Sequence, residues 1–165
     1  MNFQMIELSQ TNLKEQMQQD ENSAFHREIA VILQNDQNQI LLQKRSAQKK
    51  SNPNKWALLH GHVESGEGFV EAALRECQEE LGIIKTPQDL RPFARLFQKE
   101  VHIVYFFLAS CNSLPEQFIL QEEEVDEVKW FSLDEVISML QSHDETLVYH
   151  SDKLPLFEAL KELNE

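Results

Sequence analysis

Apolar residues recur along this chain at two spacings, every second position and every third or fourth, and the switches between them mark out the elements. Weak alternation at Phe3, Met5, Ile6 and Leu8 predicts a short strand, and the polar, Gln-rich run 10–22 predicts a helix or loose arm after it. Residues 28–33 and 39–43 are apolar and β-branched, and Asn35-Asp36-Gln37-Asn38 between them has the composition of a tight turn, so an antiparallel hairpin is expected. A basic, polar loop with Pro53 follows over 46–55, and residues 56–59 resume an extended pattern. Further strands are predicted at 93–98, 101–109 and, after the acidic loop 121–124, at 125–131. Ser132 with Glu135 three residues on has the form of a helix N-cap, opening a helix to about Ser142, and residues 154–163 carry apolar positions at helical spacing.

The remaining helix, from about Glu67 to Leu81, carries the chemistry. Val70, Ala73, Leu74, Cys77 and Leu81 fall in one stripe at a period of 3.6 and are expected to face the core, which sets Glu76, Glu79 and Glu80 together on the opposite side. Like charges three and four apart destabilise a helix by about 0.2–0.5 kcal/mol a pair. Arg75, four residues before Glu79, offsets part of this, and a hard divalent cation, which prefers carboxylate oxygens, would offset the rest. An acidic helix face alone is most simply a solvated surface; the entrance Gly61-His62-Val63-Glu64-Ser65-Gly66-Glu67-Gly68 adds a glycine-rich loop able to bring backbone oxygens and Glu67 to the same face. Gly82 suits a left-handed helix cap.

Length and charge narrow the partners. With 165 residues, 41% of them hydrophobic, the chain suits one domain with appendages, read as a strand and polar arm over 1–25 and a main domain over 26–165. Asp and Glu total 28 against 15 Lys and Arg, a formal charge of −13 that disfavours a nucleic acid duplex. The cluster Lys44, Arg45, Lys49, Lys50 and Lys55 suits one small anion, so the expected partner is a compact phosphorylated molecule with a divalent cation. Cys77 and Cys111 form neither a metal-binding spacing nor a disulfide framework, the first 25 residues have no signal-peptide pattern, and the apolar run 103–109 is too short to span a bilayer. A cytoplasmic location without membrane attachment is the expectation.

The segment GHVESGEGFVEAALRECQEELGI, Gly61 to Ile83, resembles the Nudix box, Gly-x5-Glu-x7-Arg-Glu-U-x-Glu-Glu-x-Gly-U with U apolar, and matches every fixed position with Cys77 as the first U. The resemblance covers Arg27 to Leu140 and implies an α/β/α sandwich around a mixed central sheet, of the α+β class. It further implies a Mg2+- or Mn2+-dependent hydrolase of a diphosphate bond in a nucleoside diphosphate derivative or related organic diphosphate. Residues matching Glu76, Glu79 and Glu80 hold the metals or activate water in that family, helped by a backbone carbonyl that falls at His60. Arg75 and Glu67 are expected to orient the set, with Glu67 also a metal contact. One more acidic residue is expected from the run Glu122-Glu123-Glu124, with Glu124 the choice beside Arg45 and Lys55 for substrate binding, and Lys44 and Trp56 as further contacts to phosphate or base. A homodimer is common among such relatives.

His26-Arg27, Lys44-Arg45-Ser46, Asn52-Pro53-Asn54-Lys55-Trp56 and Gly61-His62 are similar to the branch containing isopentenyl-diphosphate isomerase and its hydrolytic relatives. That likeness implies metal binding by His26 and His62, joined by acidic residues on a later strand, where Glu100 and His102 are two apart. The isomerase has a catalytic cysteine immediately before the Gly-His pair, where this chain has His60, and it tends to lose glutamates that this chain retains; hydrolysis is favoured on both counts. The alternatives are an isomerase-like enzyme of allylic diphosphates and a non-catalytic nucleotide-binding module, against which the full set of box carboxylates argues.

Overall fold

The two spacings resolve into β1 (Asn2–Met5), α1 (Gln10–Glu21), β2 (His26–Gln34), β3 (Gln39–Arg45), β4 (Trp56–Ala57), β5 (Leu59–His62), α2 (Phe69–Leu81), β6 (Arg91–Gln98), β7 (His102–Ser110), β8 (Val125–Ser132), α3 (Leu133–Gln141) and α4 (Leu154–Leu163). The structure is a computed structural model and describes residues 2–5, 10–98 and 101–165. Ile6 and Leu8 of the first predicted strand, and Glu100, lie outside the described residues.

The strands form one mixed sheet in the order β1-β6-β7-β2-β3-β4, with β5 paired to β2 and β8 to β3. The β2–β7 pair is parallel, and the other pairs are antiparallel. Both faces of β2 and β7 are covered, which is why their sequences read as unbroken apolar runs rather than alternating ones. On one face Ile29, Val31, Leu33, Ile103, Tyr105 and Phe107 pack with α2 and with Met17 of α1. On the other, Ala30, Ile32, Val104, Phe106 and Leu108 pack with α3 and α4. The result is a sheet between two helical layers, as expected. Among the described residues no helix is long and apolar enough to cross a membrane.

The expected hairpin turn is present. Asn35 Oδ1 accepts from Gln37 N (3.0 Å) and Gln39 N (2.9 Å), and Asn38 takes φ 59°. Its two strands, however, pair only at Gln34 and Ile40 before they part. Beyond that point β2 takes β5 and β7 as neighbours while β3 takes β4 and β8, and the opening between β2 and β3 becomes the floor of a cavity. The Ser132 cap forms as predicted, its Oγ accepting from Glu135 N at 3.0 Å.

Helix α1 is fastened to the sheet by Asp20, only 4% exposed, which accepts from Arg95 Nε (2.7 Å) and Nη2 (3.0 Å) and from Tyr105 OH (2.6 Å). The next residue, Glu21, accepts from Phe69 N at 3.2 Å and so satisfies one free donor at the start of α2. An N-terminal segment that reads as a polar arm thereby sets where the acidic helix begins.

Candidate active site

Helix α2 starts at Phe69, two residues later than predicted, because Glu67 is used in the turn before it: Glu67 N donates to Glu64 O (3.0 Å) and Glu67 Oε1 accepts from Glu64 N (3.1 Å). It ends as predicted at Gly82, φ 68°, with Gly82 N bonded to Gln78 O and Ile83 N to Cys77 O. Its phase differs from expectation. The inward stripe is Phe69, Ala72, Ala73, Cys77, Glu80 and Leu81, whereas Val70 and Leu74 are only partly buried. This is a rotation of roughly 70° at 3.6 residues per turn. Glu80 therefore lies on the sheet-facing side with Glu76 beside it, not opposite the core, and Glu79 alone of the three is well exposed. The three carboxylates remain together at the mouth and floor of one cavity of about 660 Å3.

Glu80 is 5% exposed and accepts from Gln43 Nε2 at 3.0 Å; burial, and then the nearby Glu76 and Glu124, push its carboxyl up to about 7. Burial also raises Glu76. Arg75 gathers the remaining charge. Its Nε and Nη2 clasp Glu67 (2.8 and 3.0 Å), Nη1 reaches Glu76 Oε1 (2.9 Å) and Glu79 Oε2 (3.1 Å), and Nη2 also donates to His62 O (2.9 Å). This clasp holds Glu67 below the usual carboxylate range and Arg75 above its own. Glu67 does not reach the cavity itself, so the structure places it behind Arg75.

Gly61 explains the glycine at the head of the box. A Cβ there would stand 2.4 Å from Glu76 Cδ and 2.5 Å from its Oε1, so the carboxylate occupies space that only glycine leaves. The strand also aims the predicted carbonyl. Val63 N donates to Arg27 O, and pairing then runs Ile29–Gly61 and Val31–Leu59, so in the antiparallel alternation the intervening His60 carbonyl points away from β2. Among the described strands, β5 has no other neighbour on that side, and His60 lines the cavity.

The other predicted residues divide. Arg45 lines the cavity, with Nε and Nη2 bonded among the described residues only to the neutral Ser51, and Glu124 lines it beside Lys49, with which it forms an ion pair. Glu122 and Glu123 are exposed and do not line it. Lys44, Lys55 and Trp56 also stay out. The Lys55 carbonyl is taken up by Arg45 N (2.8 Å), and Trp56 packs edge-on to Phe131 at 5.2 Å. The sequence reading missed Gln43, Glu28 and Tyr149. Gln43 and Glu28 are polar residues at the ends of the apolar runs of their strands and are nevertheless buried, which the sequence alone does not signal; Tyr149, which accepts from Leu58 N at 2.9 Å, comes from a segment without a pattern of its own.

Beneath β5, on the sheet face opposite α2, Glu28 is ringed by His26, His62, His102 and His60 at 3.6, 3.4, 3.7 and 3.9 Å. His26, Glu28 and His62 bring one ligand atom each to within 4.8 Å of one another. Among the described residues they alone do so; the rotamers of Glu76 and Glu80 are set by Arg75 and Gln43 instead.

A family model for the NUDIX domain matches residues 24–150. The chain belongs to the Nudix hydrolase family. This Nudix chain is 38% identical over 116 residues to an uncharacterized Nudix hydrolase of Yersinia pestis, a match covering 67% of the chain and 60% of that protein. It is 31% identical over 121 residues to an m7GpppN-mRNA hydrolase of Xenopus laevis, covering 64% of the chain and 41% of that protein, so it matches about half of these relatives' length. A MutT protein from Methanosarcina mazei has the same fold, with TM-score 0.63, 25% identity, and coverage of 87% of this chain and 98% of that one.

Proposed function

We propose that this Nudix hydrolase cleaves a diphosphate bond in a nucleoside diphosphate derivative or related organic diphosphate with Mg2+ or Mn2+. The observation that carries this is a single cavity lined by Glu76, Glu79, Glu80 and β5 together with the cationic Arg45 and Lys49. The donor set fits a hard cation: its atoms are carboxylate and carbonyl oxygens, and Glu80 is buried beside two other carboxylates with a neutral amide as its bonded partner. Glu76, Glu79, Glu80 and the His60 carbonyl would hold the ion. When bound, a divalent cation neutralises diphosphate oxygens and makes water more acidic.

The chain's own groups do the rest. Arg45 and Lys49 hold phosphate oxygens, while Arg75 fixes Glu67, Glu76 and Glu79. Water attacks phosphorus, its proton passes to a carboxylate of Glu76 or Glu79, and the P–O bond to the leaving phosphate breaks. The apolar wall of Ala57, Leu58, Val148 and Tyr149 accommodates the organic group, and the relative named for m7GpppN-mRNA supports a nucleotide there. The test is phosphate or nucleotide release from nucleoside diphosphates and triphosphates, nucleotide sugars, dinucleoside polyphosphates and coenzymes. Release that needs metal, ceases with chelator and is lost in Glu79→Gln supports the reading; metal-independent release, or none, refutes it.

A second reading, isomerisation of an allylic diphosphate, draws on the meeting of His26, Glu28 and His62. His60, where that reaction has a cysteine, counts against it. Inactivity toward isopentenyl diphosphate removes this reading.

A further inference from the structure

Gln43 sits in the middle of β3, whose residues Leu41, Gln43 and Arg45 share the face toward α2 and change along the strand from apolar to polar to charged. Its backbone is fixed on both sides, opposite Ala57 of β4 and Val128 of β8. The side chain is 6% exposed and donates from Nε2 to Glu80 Oε2 at 3.0 Å. That bond leaves Glu80 Oε1 for the cavity, which both residues line. The other end of the amide is unusual: Gln43 Oε1 is buried and has no hydrogen-bond partner among the described residues.

A buried acceptor without a donor destabilises the fold, and a core position facing Leu41 and Ala57 could be apolar at no loss to packing. An acceptor without a partner in the cavity wall, next to Glu80, points to a donor that arrives with the ligand. Magnesium, and manganese in similar sites, keeps several of its waters when bound to protein, and each such water brings O–H donors that need acceptors around it. We propose that Gln43 is a positioning residue of the cation site, holding Glu80 through Nε2 and offering Oε1 to a water of the incoming ion's hydration shell. This rests on the cation-dependent reading given above. It gives β3 a part in the chemistry that the box motif does not contain.

The test is Mn2+ affinity by electron paramagnetic resonance on the full chain, with the thermal midpoint of the metal-free protein measured alongside. Gln43→Met keeps the side chain's length and removes both of its hydrogen-bonding ends. The expected result is a folded metal-free protein whose midpoint falls by no more than a few degrees, because Glu80 loses its amide donor as the unpartnered Oε1 is removed, and Mn2+ binding weakened about tenfold, in the range found when groups that orient metal ligands are removed. In a Glu80→Gln background the same substitution should weaken Mn2+ by clearly less than in the parent, since the part of its effect that passes through Glu80 is already lost. Gln43→Leu, assayed identically, replaces the Met variant if that one is insoluble. Mn2+ affinity within twofold of the parent in the single variant, or full additivity with Glu80→Gln, overturns the proposal. A parent that binds Mn2+ with an affinity lowered by Glu79→Gln, but not by Gln43→Met, leaves the proposed function intact and removes only this inference. A parent that binds no Mn2+ overturns both.

Discussion

Gly61→Ala separates the site from the scaffold more sharply than removal of a carboxylate does. The added methyl would lie 2.4 Å from Glu76 Cδ, 2.5 Å from Oε1 and 2.6 Å from Cγ, where ordinary contact begins at 3.4 Å. The carboxylate must therefore retreat by about 1 Å, a displacement that in a reacting constellation costs about a hundredfold in rate. The scaffold loses much less, because the atoms that have to move are the far end of a flexible side chain and Gly61 itself has no positive φ. Overpacking of a rigid core costs about 1–3 kcal/mol; here the expected loss is below about 1 kcal/mol, or under about 4 °C in thermal midpoint for a chain of this size. The assay is kcat at saturating metal on the substrate identified by the release panel, beside a melting curve. A fall of about a hundredfold with a small midpoint change is expected. A kcat within threefold of the parent would show that Glu76 need not stand where the strand leaves room for it, and a midpoint loss well above 4 °C would show that the clash is taken up by backbone.

Two further outcomes follow from other parts of the molecule. Asp20→Ala removes a buried acceptor of Arg95 and Tyr105, a loss of about 3–5 kcal/mol that should lower the thermal midpoint by about 6–20 °C, and a shift under 2 °C would refute the role given to α1. Arg45→Ala should raise KM about tenfold with kcat held within a few fold, because the lost contact is a partly exposed charge-assisted one to substrate; an unchanged KM would place the phosphates elsewhere.

Much of this architecture could be read from the order of residues because local rules and burial agree there. The Asn35–Asn38 turn, the Ser132 cap and the Gly82 cap each depend on one or two neighbouring side chains, and each forms as expected. The continuous apolar run in β7 marks a strand covered on both sides, which is what the helices on either face provide. The partners of β2 and β3 were not legible, since an apolar strand carries no label for its neighbour, and the parting of these two strands after Gln34–Ile40 is a property of the whole sheet.

The phase of α2 shows why the site itself was only partly legible. Assigning glutamates to the solvent side is the sound default for a helix, and it fits Glu79. It fails for Glu80 and Glu76 because their inward direction does not lead into the apolar core: at that level the sheet has opened, Gly61 has no side chain, and the facing strand offers Gln43 in place of another leucine. A carboxylate can therefore occupy a core-facing position without entering hydrocarbon. The residues that permit this lie 15 and 37 positions from their partners, Gly61 from Glu76 and Gln43 from Glu80, beyond the reach of any helical or strand period. What the sequence does offer is a pair of polar residues bordering apolar runs, Glu28 just before 29–33 in β2 and Gln43 just after 40–42 in β3, both buried in the fold. Both prove to line the cavity, so a polar residue at a buried strand position in such a sheet is a marker of its site even where the box motif is silent.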